Sequence, residues 1–113
     1  MKQILLIEDD PAIADPLTYA LARENWQVVW HDTGIAALAA LQQQAFDCII
    51  LDVGLPDTDG FELCRRIRRD WATPLIFLTA RNEEVDRIVG LELGADDYCG
   101  KPFSSRELIS RIK

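Results

Sequence analysis

The sequence has few of the features that mark membrane, secreted or metal-finger proteins. No apolar run approaches the roughly 18 residues that a membrane helix needs. The N-terminal apolar run is short and ends in acids, which is unlike a signal peptide, so we expect a cytoplasmic protein. The three cysteines form no CxxC pair and no Cys/His cluster, so we predict reduced, buried thiols. The single histidine, His31, is expected at the surface, just past the second strand.

Basic residues are also scarce, because 12 Lys and Arg face 19 Asp and Glu, for a formal net charge of −7. A domain that binds nucleic acid needs clustered Lys and Arg side chains to neutralise the phosphates, so we expect no nucleic acid to bind this domain alone. The acidity suits solubility, a divalent cation or a basic partner surface. One arginine-rich stripe is therefore predicted to be the solvated face of a helix; it comprises Arg65, Arg66, Arg68 and Arg69.

Five short apolar runs alternate with apolar stripes at helical spacing. The runs cover residues 4–7, 28–30, 48–51, 75–78 and, more weakly, 98–99. The first four show no polar alternation, which is typical of strands buried on both faces of a parallel sheet. The 113 residues fit one domain. The pattern predicts an α/β fold of (βα)₅ type, a doubly wound parallel sheet with right-handed crossovers.

The start of the first helix is ambiguous. A helix that begins at Pro11, after Asp10, would be kinked at Pro16. A later helix would use Asp15 as its cap and Pro16 as its first residue. We favour a disturbed or late start. The later helices have clearer start signals, which are Asn82 for the fourth and a capping box for the fifth, Ser104 with Glu107.

Reactive side chains follow four of the predicted strands: Glu8, Asp9 and Asp10 after the first, Asp52 after the third, Thr79 after the fourth and Lys101 after the fifth. Each alone is weak evidence, since an Asp after a strand is usually a turn former or a cap. The carboxyl ends of parallel strands, however, meet at one edge of the sheet, where ligands bind. Together these residue types favour phosphoryl transfer.

The chemistry of that set is specific. The carboxylates of Glu8, Asp9 and Asp52 would repel one another without a cation, and oxygen ligands suit Mg²⁺. A carboxylate can also be a nucleophile that forms an acyl phosphate, and Asp52 at the central strand is the better candidate. Lys101 would add a positive charge and Thr79 a hydroxyl donor to a phosphoryl group.

Four segments carry a family resemblance: IEDD, LDVGLPDTDGFELCRRIR, LTAR and GADDYCGKPF. They resemble the receiver domain of bacterial two-component response regulators over essentially the whole chain, with details similar to the OmpR/PhoB subfamily. The resemblance implies a flavodoxin/CheY-like sheet with strand order 2-1-3-4-5. It implies a signalling switch, phosphorylated by a sensor histidine kinase, that promotes its own phosphorylation and dephosphorylation without being a conventional enzyme.

The resemblance also implies the role of each metal and phosphoryl ligand. Asp52 matches the phosphoacceptor. Glu8 and Asp9 match the acidic pair that positions Mg²⁺, with Asp9 the direct ligand and Glu8 acting mainly through water. The backbone carbonyl of Gly54 matches the third protein ligand. Asp10 matches a third acidic residue that is frequent in the family, and we expect it to cap a helix or to lie behind the metal ligands.

Switch residues follow from the same resemblance. Thr79 and Lys101 match the pair that grips the phosphoryl group, and Tyr98 matches the aromatic that swings inward with the threonine. Lys101–Pro102 matches a peptide bond that is cis in the family, otherwise a minority state. Gly54 stands where many members carry a larger side chain, so we expect easier access to the phosphoryl group, unless Arg81 covers the site.

Phosphorylation-promoted dimerisation is a further implication, through the fourth helix, fifth strand and fifth helix. The face carries Arg87, Glu92, Asp96, Asp97, Glu107, Arg111 and Lys113. The expected pairs across a two-fold axis are Arg87 with Glu107, Asp97 with Arg111, and Glu92 with Lys113. From the residues alone, these would be solvated charges worth little. Residues 1–113 would be the N-terminal part of a longer protein that binds DNA through a winged-helix domain.

Three other functions fit the sequence less well than a phosphorylated receiver domain does. A haloacid-dehalogenase-type phosphatase needs a second Asp two residues after the nucleophile, where Gly54 stands. A flavodoxin-like flavin binder needs a phosphate loop after the first strand, and the acids there would repel phosphate. A pseudo-receiver, which binds partners without phosphorylation, conflicts with the complete reactive set and stays open until an assay. No membrane role is expected.

Overall fold

Strands and helices alternate strictly along the chain. The computed structural model describes residues 2–81, 83–101 and 103–113. The strands are β1 (Gln3–Ile7), β2 (Gln27–His31), β3 (Cys48–Leu51), β4 (Leu75–Thr79) and β5 (Asp97–Gly100). The helices are α1 (Pro11–Ala22), α2 (Gly34–Gln43), α3 (Gly60–Asp70), α4 (Glu84–Glu92) and α5 (Ser105–Ile112). The predicted (βα)₅ alternation is confirmed.

All five strands form one parallel sheet in the order β2-β1-β3-β4-β5, as the resemblance implied. Each face of the sheet has its own hydrophobic core, and successive side chains along each central strand point to opposite faces. In β1, Leu5 and Ile7 pack with α2 and α3, whereas Ile4 and Leu6 pack with α1 and α5. The unbroken apolar runs therefore reflect burial on both faces of the sheet. His31 is the last residue of edge strand β2 rather than the residue after it.

Helix α1 begins at Pro11, so the late start, one of the two favoured alternatives, is wrong. The carboxylate of Asp10 accepts a hydrogen bond of 2.9 Å from the backbone N–H of Ala12, which makes Asp10 the N-cap. Pro16 lies inside the helix. Because Pro16 has no N–H, the carbonyl of Ala12 loses its intrahelical donor. The cap of Asp10 and the apolar face of the helix outweigh that loss.

The caps of the last two helices differ in detail from their predictions. Helix α4 is capped at Glu83, whose N–H donates to Asp86 at 3.4 Å. The predicted cap, Asn82, lies outside the described residues. For α5, the Ser104 hydroxyl accepts from the Glu107 N–H at 3.4 Å, as predicted. The Glu107 carboxylate bonds to Arg111 at 3.1 Å rather than completing the capping box.

Two expectations about side chains have opposite outcomes. Cys48, Cys64 and Cys99 are free, buried thiols, as predicted, and burial raises the pKa of Cys48 to about 12. Arg68, by contrast, is not a solvated member of the arginine stripe, because only 19% of its side chain is exposed and it bonds to three carbonyls. Within the residues that the structure describes, no helix is long and apolar enough to cross a membrane.

Candidate functional site

The parallel sheet brings the four reactive strand ends to one edge. Glu8 follows β1, Asp52 follows β3, Thr79 ends β4 and Lys101 follows β5. The backbone continues the sheet pattern past the strands, because Asp52 N–H donates to Ile7 at 3.0 Å and Lys101 N–H donates to Thr79 at 2.9 Å. Residues up to 93 positions apart thus become neighbours.

Three carboxylates form the centre of this edge. Glu8, Asp9 and Asp52 each offer an oxygen within 4.8 Å of the others. Glu8 and Asp52 are 2% and 8% exposed, while Asp9 faces solvent. Burial raises the pKa of Glu8 to about 7. The hydrogen bond from Lys101 opposes this rise in pKa, and the negative charge of Asp52 adds to it. Crowded oxygen ligands of this kind fit a hard divalent cation such as Mg²⁺.

Lys101 provides the positive charge beside these acids. Its ammonium donates to Glu8 Oε1 at 2.9 Å and to Asp52 Oδ2 at 3.2 Å. Burial works to lower the pKa of Lys101, but the hydrogen bond to Glu8 and the charge of Asp52 outweigh it and raise the pKa. Lys101 therefore stays protonated, and its three donors can turn from the carboxylates to an incoming anion.

Thr79 and Tyr98 meet at the backbone of Arg81. The Thr79 hydroxyl accepts a hydrogen bond of 3.2 Å from the Arg81 N–H, and the Tyr98 phenol donates to the Arg81 carbonyl. The Tyr98 ring is 1% exposed and lies 5.4 Å from the Phe77 ring, centroid to centroid. Burial raises its pKa to about 12. The tyrosine is therefore in an inward position, linked to the threonine through a single residue.

The loop between β3 and α3 is held tightly around Asp52. The N–H of Gly60 donates to Val53 at 2.7 Å, and a Cβ at Gly60 would lie 2.3 Å from the Asp52 carbonyl oxygen. Asp57 ties the loop to the start of α2, where its carboxylate accepts from Gly34 N–H at 2.8 Å. The main chain beside the phosphoacceptor candidate is thus fixed from both sides.

Gly54 leaves the mouth of the site open. A Cβ added there would meet nothing within 4 Å. The residue borders a surface hollow of about 470 Å³, which also has Arg81 on its wall. Position 54 therefore has room for a larger side chain, and easier access to the phosphoryl group stays a prediction.

Comparison with known proteins shows which family this chain resembles in sequence and in fold. The sequence profile of the response regulator receiver domain matches residues 4–113. The chain belongs to the response regulator receiver domain family. The transcriptional regulatory protein CreB of Escherichia coli is 50% identical over 99% of this chain and 49% of its own length. RegX3 of Mycobacterium tuberculosis, a sensory transduction protein, is 43% identical over the whole chain and 50% of its own length.

These relatives confirm the resemblance to the OmpR/PhoB subfamily, and the receiver domain spans about half of their length. Solved structures agree with the fold. The beryllofluoride-activated N-terminal receiver domain of Klebsiella pneumoniae RstA superposes with a TM-score of 0.93 at 32% identity, covering 97% of this chain and 94% of that one. The receiver domain of the Pseudomonas aeruginosa kinase PA1611, with magnesium in its active-site cleft, gives 0.89 at 33% identity, covering 98% and 93%.

Sequence reasoning missed one residue that shapes the acidic part of the receiver site. The Trp30 indole N–H donates to the Glu8 carbonyl at 2.7 Å, and Glu8 N–H donates to the His31 carbonyl at 3.1 Å. Edge strand β2 thus holds the backbone that carries Glu8 and Asp9. The only signal in the sequence was an aromatic donor near the end of a strand, which is too common to be diagnostic.

Charged residues of the predicted dimer face pair within the receiver domain itself. Arg111 bonds to both Asp97 and Glu107, and Lys113 lies 3.1 Å from Glu24. Asp96 turns away from the face, toward Arg68 of α3 at 3.2 Å and the Leu75 N–H at 2.8 Å. Arg87 and Glu92 lie on α4. The Lys101–Pro102 bond falls on a residue outside the described ranges.

Proposed function

We propose that this receiver domain is a phosphorylation switch in which Asp52 accepts a phosphoryl group from the phosphohistidine of a sensor kinase. The supporting observation is the buried Asp52 carboxylate, which lies 3.2 Å from the Lys101 ammonium and within the acidic cluster. An oxygen of Asp52 attacks phosphorus, the P–N bond to the kinase histidine breaks, and an acyl phosphate forms. Water later cleaves that acyl phosphate and releases inorganic phosphate.

Glu8, Asp9, Asp52 and the Gly54 carbonyl would hold Mg²⁺. When bound, the ion neutralises charge on the phosphoryl oxygens. The proposal draws on the oxygen-rich donor set and on the magnesium in the cleft of the PA1611 receiver domain.

Binding of the phosphoryl group then biases the switch. Lys101 can move its donors from Asp52 to a phosphoryl oxygen, and the Thr79 hydroxyl can donate to another. Thr79 is bonded to the Arg81 backbone, which also receives the Tyr98 phenol, so the position of the threonine and that of the tyrosine are linked. Phosphorylation would favour the inward arrangement of an existing equilibrium.

The output would be dimerisation that controls an attached DNA-binding domain in the cytoplasm. Support comes from CreB, a relative named as a transcriptional regulatory protein that is about twice as long as this chain. Residues 1–113 would be the receiver part of such a protein. The dimer would form through α4, β5 and α5, where Arg111 and Asp97 exchange their internal pairing for pairing with the partner.

Phosphorylation is tested by intact mass. The domain is incubated with Mg²⁺ and acetyl phosphate beside an Asp52→Ala control. We expect one phosphoryl group on the native protein alone, abolished by EDTA. A gain in both proteins would move the nucleophile away from Asp52. If neither gains mass, the domain is offered a phosphorylated histidine kinase, and failure there too would favour a pseudo-receiver.

Dimerisation is tested separately, by sedimentation in the presence of Mg²⁺ and beryllofluoride. We expect the native domain to dimerise and Arg87→Ala to weaken that dimer. An unchanged dimer in Arg87→Ala would show that the face is assigned wrongly, whatever the result of the phosphorylation assay.

A further inference from the structure

The side chain of Arg81 joins two helices across the mouth of the site. Its guanidinium donates to Asp86 Oδ1 in α4 at 3.0 Å and lies 3.9 Å from Asp59 Oδ2, the N-cap of α3. The same group sits 5.1 Å from the centre of the Phe61 ring in α3. The Arg81 side chain is 54% exposed, but that of Asp86 is only 13% exposed. The contact is therefore partly buried at its α4 end.

The backbone of the same residue carries both switch contacts. Arg81 N–H donates to the Thr79 hydroxyl, and its carbonyl accepts from the Tyr98 phenol. Any force that holds the Arg81 side chain also fixes the two backbone groups on which Thr79 and Tyr98 depend. The Tyr98 ring has close neighbours as well, since a Cβ at Gly90 would lie 2.7 Å from it.

We propose that Arg81 is a positioning residue of the phosphoacceptor site. Its guanidinium clamps the start of α3 to the start of α4 and so holds Thr79 and Tyr98 in the inward arrangement before any phosphoryl group arrives. The regulatory meaning of this clamp rests on the proposed function, whereas its effect on Tyr98 does not.

Arginine is suited to this position for a geometric reason. The N–H groups at the edge of its planar guanidinium can face two carboxylates while the face of the guanidinium stacks on an aromatic ring. A lysine ammonium cannot make both kinds of contact at the same time. Exposed ion pairs and exposed cation–π contacts are individually weak. Acting together on one short loop, they should change the ratio of inward to outward Tyr98 by about fivefold.

The clamp is tested on Tyr98 directly, by incorporating fluorotyrosine and recording fluorine NMR. The chain has two tyrosines, and a Tyr19→Phe background leaves Tyr98 as the only signal. We expect Arg81→Ala to shift the signal toward the solvent-exposed position, with Arg81→Lys between Arg81→Ala and native. Arg65→Ala is the matched control, because Arg65 also bears an ion pair, with Glu62 at 3.5 Å, but lies on the outer face of α3.

A double-mutant cycle identifies the contact that matters. Asp86→Asn removes the charge while keeping an oxygen that can accept from the Glu83 N–H. If the clamp acts through Asp86, Arg81→Ala should shift the Tyr98 signal less in the Asp86→Asn protein than in the native background. Equal shifts in both backgrounds, or a native-like Tyr98 signal in folded Arg81→Ala, would overturn the proposal.

Its consequence for the switch is measured with beryllofluoride and Mg²⁺, followed by the same fluorine signal. A ligand that selects the inward state binds more weakly when part of the protein is in the outward state. Arg81→Ala should therefore raise the apparent Kd by the ratio of the inward fractions of the native and variant proteins, as their signals without ligand give them. Arg65→Ala should leave it unchanged. If the native domain binds no beryllofluoride, the proposed function fails. The Tyr98 signal recorded without ligand still shows whether Arg81 holds Tyr98 inward. A native-like Kd in Arg81→Ala despite a shifted Tyr98 would refute its regulatory part.

Discussion

Replacement of Arg68 by alanine gives the sharpest stability prediction for this domain. Its Nε donates to the Gly94 carbonyl at 2.9 Å, and Nη1 donates to the carbonyls of Thr73 at 2.8 Å and Trp71 at 3.3 Å. Nη2 reaches the Asp96 carboxylate at 3.2 Å. One side chain thus joins the end of α3 to the loops before β4 and before β5.

The magnitude follows from the number and burial of these bonds. A hydrogen bond to a charged group contributes about 1.5–3 kcal/mol net. The four bonds are not additive, because loop carbonyls near the surface regain water when Arg68 is lost, and Asp96 keeps its bond from Leu75 N–H. We expect Arg68→Ala to lower the free energy of unfolding by about 2–4 kcal/mol, or Tm by roughly 10 °C.

The assay is urea unfolding followed by circular dichroism, with Arg65→Ala as the control on the same helix. The Arg65 side chain is 60% exposed and pairs only with Glu62 among the ion pairs of the described residues. Its loss should cost less than about 1 kcal/mol. Arg68→Lys should recover little, because an ammonium cannot span the four acceptors. Equal effects for Arg68→Ala and Arg65→Ala would refute the reasoning.

Four further predictions concern the site and the core. Gly54→Met should fill the open mouth and lengthen the lifetime of the acyl phosphate by about three- to tenfold, roughly 1 kcal/mol in the barrier; equal lifetimes by intact mass would contradict this. Gly60→Ala places a methyl group 2.3 Å from the Asp52 carbonyl oxygen, so it should destabilise the domain by about 1–3 kcal/mol and slow phosphorylation; native values for both would show that the loop shifts freely. The three thiols should resist Ellman's reagent at pH 8 and all react in denaturant. Because burial raises the pKa of Cys48 from 9.0 to about 12, stability should fall as pH rises from 9 toward 12, and less so in Cys48→Ala.

The sequence alone determined the architecture and the reactive set. Unbroken apolar runs such as 48–51 are typical of strands buried on both faces, and their alternation with helical stripes predicts a parallel sheet covered by helices. Once the sheet is parallel, the residues after its strands must share one edge. Asp52 and Lys101 are 49 positions apart, and the sequence alone predicts that they lie at the same edge of the sheet. In the structure the Lys101 ammonium lies 3.2 Å from the Asp52 carboxylate.

Only the tertiary structure decided which charged side chains hold the loops. Arg68 and Arg65 look alike in sequence, but Arg68 reaches three loop carbonyls while Arg65 stays exposed. The contact of Arg81 with Asp86 and the hydrogen bond from Trp30 to Glu8 could not be predicted from the sequence either. Periodicity records which face of an element is apolar, because burial acts on every turn or pleat. The partner of one polar side chain depends on how separate elements meet, and local pattern does not encode that geometry.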